Sequence, residues 1–384
     1  MKTLSQYQSF CKYVVCTMAL CFVVGSVSAK EPTKFGPDKK TFDKAQQKAI
    51  NFLRNSQLDD GSWTSPKAPG ISALVLNSLM QNGVKVDDPT IVKGLKRLED
   101  YIQKDGGIYY PKGNHLNYET CIALIALNAA NKDGRYTKTI KNAENFLRGL
   151  QWDKGEGAKT TDPAFGGGGY GKHQRPDMSN TQFLVEALKT AGVKADDTAM
   201  KNALIFVSRA QNLESEHNNT KFAAKINDGG FYYTPAAGGE TKAGITDNGG
   251  LRSYASMTYA GLKSMIYAGL TKDDIRVKSA YKWIQKNYTL ETNKGVGLQG
   301  LYYYYHTFAK ALDIFGKDIV VDSKGKKHDW RKELAEKLFS LQKPNGSWIN
   351  KADRWNEGDP SLVTAFSLMA LKHCEPPKKT KNPK

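Results

Sequence analysis

The stretch from Lys48 to Trp63, KAINFLRNSQLDDGSW, decides the fold. Ala45, Ala49, Phe52 and Leu53 recur at helical spacing and mark an amphipathic helix that runs into the Asp59-Asp60-Gly61 turn. Gly61 supplies the positive φ such a turn needs. Gln57 is placed to hydrogen-bond backbone groups freed at the helix end, and Trp63 offers a large apolar face to a neighbouring unit.

The same pattern returns along the chain. Outer helices are predicted over 42–56, 90–103, 137–151, 197–211, 275–288 and 330–342. Each leads into a glycine-containing turn: DDGSW, KDGGIYY, FGGGGYG, NDGGFYY, NKGVG and PNGSW. A second, markedly more apolar helix follows each turn, over 71–80, 118–130, 179–191, 254–268, 301–315 and 361–373. Gln57, Gln103, Gln151, Gln211 and Gln342 close the outer helices, and Tyr288 takes that place in the fifth unit. A helix apolar nearly all round is buried on both faces. Six such helices alternating with six amphipathic ones predict an all-α (α/α)6 toroid, an inner ring within an outer one. Closure leaves no exposed terminal repeat.

Residues 1–29 read as a secretory signal: Lys2 and Lys12, an apolar run over 13–24, and a small-residue site ending at Ala29. A linker over 30–41, the toroid over 42–374 and a basic tail over 375–384 complete the organisation, and the expected location is outside the cytoplasm. The net charge of +18 is spread along the chain apart from that tail. It suits an anionic membrane surface as a partner, whereas no nucleic-acid-binding module is visible. Beyond the signal only Cys121 and Cys374 remain. Cys121 is expected to pack as a small hydrophobe, and a disulfide between the two stays open.

The Gln-x-x-Asp-Gly-Ser-Trp type repeats, fullest at 57–63 and 342–348, resemble those of the squalene cyclase and protein prenyltransferase superfamily. The resemblance covers the chain from Phe42 onward and implies a central lumen that takes a polyprenyl chain or a triterpene. Its cyclases carry an acid motif, Asp-x-Asp-Asp-Thr-Ala, at the start of an inner helix. Asp196-Asp197-Thr198-Ala199 matches part of it but precedes an outer helix, as Asp87-Asp88 and Asp273-Asp274 do, and reads as a helix cap. Asp177-Met178-Ser179-Asn180-Thr181 matches by position, with Asp177 as the first aspartate and Thr181 as the threonine. Ser179 and Asn180 replace the two aspartates between, including the proton donor, and neither can protonate an alkene. In the prenyltransferases zinc is bound by Asp, Cys and His. Tyr305-His306-Thr307 resembles the histidine segment, but 247–253 lacks the cysteine, so neither a metal nor another cofactor is expected.

What remains is a set of polar and aromatic groups at the inner-helix starts. Asp177, Asp359 and His306 are the candidate catalytic residues. Tyr118, Glu119, Asn180, Arg252, Tyr254, Tyr259 and Tyr305 are the candidate substrate-binding residues. His115, Tyr304 and Glu357 complete the rim. Such a rim orients a polar head group while the lumen takes an apolar chain, and several of its members serve equally well as helix caps. The leading expectation is an exported toroid that binds a hydrophobic, isoprenoid ligand, with cyclase- or transferase-type chemistry left open. The alternatives are a carbohydrate-active enzyme, which needs two carboxylates flanking a groove, and a non-catalytic scaffold. A closed apolar lumen favours the first, an open acidic cleft the second, a plugged lumen the third.

Overall fold

A computed structural model describes residues 35–375, so the signal and the end of the basic tail lie outside the described residues. Helix α1 (Lys39–Asn55) begins within the stretch read as a linker, because Asp38 caps it by accepting a hydrogen bond from Thr41 N at 2.9 Å. The other outer helices are α3 (Pro89–Glu99), α5 (Thr137–Arg148), α7 (Thr198–Arg209), α10 (Ile275–Asn287) and α12 (Trp330–Leu341). Asp88, Asp197, Asp274 and Asp329 cap four of them, the first three as read from the sequence. Arg54 and Arg148 reach from the end of one outer helix to the capping aspartate of the next, at 2.7 and 2.8 Å.

The inner helices are α2 (Pro69–Gln81), α4 (Leu116–Ala130), α6 (Met178–Thr190), α9 (Ala255–Tyr267), α11 (Leu301–Phe315) and α13 (Pro360–Cys374). Each packs on its successor and α13 packs on α2, which closes the ring. Their turns bury almost every face, and 179–188 and 255–265 are predominantly closed to solvent. The chain is the (α/α)6 toroid that the repeats predict.

The repeated residues stitch neighbouring hairpins together. Gln57 Nε2 donates to Gly61 O in its own turn and to Thr90 O at the start of the next outer helix, both at 3.0 Å. Gln151, Gln211 and Gln342 repeat this double contact, whereas Gln103 bonds within its own turn to Tyr101 O and Tyr109 O. Gly61 has φ +89, and a Cβ there would lie 2.6 Å from Lys93 O, so side-chain-free backbone is what lets the turn seat on α3. Trp63 is fully buried and donates to Leu53 O at 2.7 Å. Gln211→Ala is expected to cost about 1–3 kcal/mol by leaving the buried Gly229 carbonyl unpaired and removing a second bond to Arg276 O, which keeps its partner within α10, measured as a lower urea midpoint.

Three departures from the regular scheme matter. A short hairpin, β1 (Ile319–Val321) paired antiparallel with β2 (Lys327–Asp329), links α11 to α12, a stretch for which the sequence predicts no element. The 212–250 region carries a one-turn helix, α8 (Ala223–Ile226), and is clamped by Arg209, which donates to Thr160 O, Asp162 O and Asn219 Oδ1. Cys121 and Cys374 are both buried and free, which settles the disulfide left open above.

Candidate functional site

The N-terminal ends of all six inner helices converge on one cavity of about 500 Å³. Gly70 and Ile71 of α2, Tyr118 and Glu119 of α4, Ser179 and Phe183 of α6, Met257 of α9, Tyr303 of α11, and Leu362 and Phe366 of α13 wall it. Tyr254, the residue ahead of α9, joins them, as do Tyr170 from the glycine-rich turn and Tyr233 from the fourth turn. Aromatic edges pack face to edge around it: Tyr118 on Phe183 at 5.4 Å and Tyr303 on Phe366 at 5.9 Å. Tyr233 is held by cations on its face, Lys242 at 4.8 Å and Arg175 at 5.7 Å, both tied to Glu240. The 234–250 insert therefore fixes one wall of the cavity.

Trp355 stands at the mouth, 41% exposed, in a 3-10 turn over 354–356. It and Asn356 both adopt left-handed backbone, φ +61 and +62, a conformation rare for a bulky residue. The ring lies over Gly300, where a Cβ would come within 2.8 Å of it, and Arg354 stacks on its face at 5.0 Å. Strain of this kind persists where surrounding structure holds it, and clusters at ligand sites.

The carboxylates divide by what they do. Asp177 caps α6: it accepts from Asn180 N at 2.9 Å, Ser179 Oγ at 2.7 Å and Asn180 Nδ2 at 2.8 Å, and Tyr233 bonds it as well. It is buried behind Ser179 and does not line the cavity, and burial raises its carboxyl above the ordinary value. Asp359 likewise caps α13 through Leu362 N at 2.8 Å and stays off the cavity wall. Glu357 lines the cavity but commits both oxygens, Oε1 to Tyr303 N and Oε2 to Asn350 Nδ2, at 2.8 and 2.7 Å. Glu119 differs: Oε2 accepts from Tyr110 N at 2.9 Å, and Oε1 has no hydrogen-bond partner among the described residues. Burial pushes its carboxyl up to about 7, only partly offset by the Tyr110 N–H.

Beneath the aromatic floor the lumen is filled by ions. Glu186 of α6 bonds Lys263 of α9 and Lys310 of α11, and Lys263 also bonds Gln182. Lys263 is fully buried and lies 5.9 Å from the Phe183 ring centre. Burial draws its ammonium down to about 8 against the opposing pull of Glu186. Glu186 is opposed by burial, but the two lysines hold its carboxyl far below the usual range. The open space is thus the N-terminal half of the lumen.

Tyr118, Glu119 and Tyr254 of the sequence candidates meet at this cavity, with His115 and Glu357. Asn180 sits behind the wall with Asp177. Tyr259 packs among Tyr304 and Phe308, and Tyr305 donates to Leu290 O at 2.6 Å, so both face the outer ring side rather than the opening. His306 is buried against Phe366 with burial holding it neutral, and Arg252 is exposed in the insert loop away from the cavity. Phe183, Tyr303, Phe366 and Trp355 line the cavity without being among the sequence candidates. The ionic floor is not among them either, although a Glu or Lys inside an apolar helix (TQFLVEALKT, YAGLKSMIY) is itself a signal.

The chain matches the family model of the squalene-hopene cyclase C-terminal domain over residues 64–235. No curated protein matches it by sequence. Among solved structures it is similar to the type II terpene cyclase MstE from Scytonema, with a TM-score of 0.56 and 12% identity over 88% of this chain and 98% of that one. The protein geranylgeranyltransferase-I of Candida albicans gives a TM-score of 0.51 and 13% identity, covering 85% and 90%. An unsaturated glucuronyl hydrolase specific for heparin gives 0.54 and 15%, covering 88% and 97%. The resemblance read from the repeats is borne out, and at these identities the structural likeness speaks for the fold alone.

Proposed function

We propose that the protein is an exported toroid that binds a hydrophobic, isoprenoid-type molecule in the N-terminal half of its lumen. The observation that carries this reading is the aromatic-walled cavity to which all six inner helices contribute, floored by Phe183, Tyr303 and Phe366. Its volume of about 500 Å³ falls in the range of pockets that engulf small ligands. Two of the similar structures act on or bind geranylgeranyl compounds: MstE is known with geranylgeranyl dihydroxybenzoate and the Candida enzyme with GGPP. Binding rather than cyclisation is the reading the site supports, because Asp177 is spent as a helix cap and Lys263 places positive charge just below the floor, where a carbocation would be repelled. The basic surplus of the chain suits an anionic bilayer as the source of such a ligand.

The polysaccharide reading draws on the glucuronyl hydrolase likeness and on two carboxyl groups in the cavity wall. Of these Glu357 is already held through both oxygens by Tyr303 N and Asn350 Nδ2, which favours a positioning role over proton transfer and leaves this reading second.

The test is mass spectrometry of an organic extract from protein purified without detergent. One isoprenoid per chain is expected, and Trp355→Ala is expected to weaken its retention about tenfold through loss of an aromatic wall. An empty extract that stays empty after incubation with prenyl lipids would sink the reading.

A further inference from the structure

Among the described residues lining the cavity, Glu119 alone combines burial with an uncommitted carboxyl oxygen: it is 6% exposed, and Oε1 looks into the open space. A side chain here is given room by α2, whose Gly70 brings no Cβ to a place 3.5 Å from Glu119 Cγ and 3.1 Å from the Tyr118 ring. The groups able to neutralise an anion are poorly placed. Lys67 at the mouth is solvent-exposed, and burial lowers the His115 imidazole, which favours its neutral form. Lys263 and Lys310 lie under the floor and are already engaged by Glu186. A buried phosphate requires several charge-assisted donors, and without them its desolvation is not offset.

From this arrangement we infer that Glu119 is the head-group residue of the cavity. It donates from its carboxylic acid to an uncharged, acceptor-only oxygen of the ligand, a carbonyl or ether. The cavity therefore selects neutral-headed isoprenoids over prenyl phosphates and diphosphates. This rests on the isoprenoid-binding reading and specifies its ligand class.

A consequence is a pH dependence with a definite sign. Burial raises the Glu119 carboxyl to about 7, so the donor form prevails below that pH and the acceptor-only carboxylate above it. Affinity for a carbonyl or ether head group, which cannot donate to the carboxylate, therefore falls as pH rises through about 7. The other titratable groups around it are His115 just ahead of α4, Tyr118 on α4, Lys67 ahead of α2, Tyr170 on the glycine-rich turn, Tyr233 on the fourth turn, Tyr254 ahead of α9, Tyr303 on α11, and Glu357. Burial raises Tyr233 and Tyr254, which stay neutral. Burial raises Tyr118, Tyr170 and Tyr303, which keeps them neutral across this window. Glu357 is raised as well, so Glu119→Gln is needed to separate the two carboxyls.

The experiment is titration of the purified full chain with geranylgeranyl methyl ether and with geranylgeranyl diphosphate, read by tryptophan fluorescence with Trp355 at the mouth as reporter. At about pH 6 the ether is expected to bind at least about tenfold more tightly than the diphosphate, the size of a lost charged hydrogen bond. Raising the pH to about 8.5 should weaken ether binding by about tenfold, because the ionised carboxylate has no proton to donate to an acceptor-only oxygen. Glu119→Gln, which keeps a donor but cannot ionise, is expected to flatten that pH profile. Equal or tighter binding of the diphosphate overturns the head-group assignment while leaving the isoprenoid cavity standing. A pH profile unchanged in Glu119→Gln overturns it too. Binding of neither compound removes the isoprenoid reading, and this inference with it.

Discussion

Replacing Glu186 with alanine should lower the stability of the fold by about 3–5 kcal/mol, the range for stripping one partner from a buried ion pair. The reason is Lys263: it is fully buried on α9, and its counter-ion Glu186 lies 77 residues away on α6. Truncating Glu186 leaves that ammonium in a low-dielectric interior with Gln182 as its remaining hydrogen-bond partner. Lys310, slightly exposed, has room to turn outward and matters less. The pH dependence gives the prediction a signature. In the native chain Glu186 has a folded pKa far below its unfolded value, so its contribution is present above the unfolded value and fades as pH falls below it. In Glu186→Ala the burden passes to Lys263, whose folded pKa lies below its unfolded value even with Glu186 present. The folded variant sheds that proton first, so its stability should recover as pH rises from about 6 towards 9. Glu186→Leu combined with Lys263→Met should restore much of the loss, because an apolar pair of similar size has no charge to desolvate. Urea midpoints across this pH range measure all three. A loss under about 1 kcal/mol in Glu186→Ala would mean that water reaches the lumen floor and the ions are solvated there.

That ionic floor also shows where sequence reading reaches its limit. The hairpins were legible because their signals are local: apolar spacing marks each helix and a glycine turn ends it, as at Phe52, Leu53 and Gly61. The aspartate caps at Asp88, Asp197 and Asp274 were legible for the same reason. The site was half legible. Tyr118, Glu119 and Tyr254 sit at the inner-helix starts and do reach the cavity. On α11, however, successive residues turn by about 100°, so Tyr303 faces the lumen while Tyr305 bonds Leu290 O behind it. A run of four tyrosines does not reveal which one looks inward. Trp355 was missed because left-handed backbone at a bulky residue is imposed by what surrounds it, here Gly300, Arg354 and the cap of α11 by Glu357, and none of these is adjacent in a pattern. The β1–β2 hairpin escaped because three-residue strands are too short for an alternation signal.

The turn that seats the last hairpin on the first rests on one glycine, and Gly346→Ala should cost about 3 kcal/mol or more. The seam joins the last hairpin to the first across 297 residues of sequence, with Gln342 Nε2 donating to Ala45 O at 2.9 Å and to Gly346 O at 3.0 Å. Gly346 has φ +92, and a Cβ there would lie 2.3 Å from Lys48 O and 2.6 Å from Lys48 C, both backbone atoms of α1. A flexible side chain would swing aside, but a helix carbonyl cannot, so α1 must shift or the turn must open. Either movement stretches the Gln342 bridge and loosens Trp348, which is fully buried and donates to Leu338 O at 2.8 Å. Gly83→Ala is the matched control. Its φ of +90 is nearly the same, yet nothing lies within 4 Å of the added carbon, so only the left-handed penalty of about 1 kcal/mol remains. The difference between the two variants isolates close approach from backbone preference. Hydrogen exchange adds the location: in Gly346→Ala the amides of α1 should lose protection before those of α4 or α6, since the seam is where the toroid opens. Equal losses in the two variants, or protection lost evenly around the ring, would show that closure does not hang on this contact.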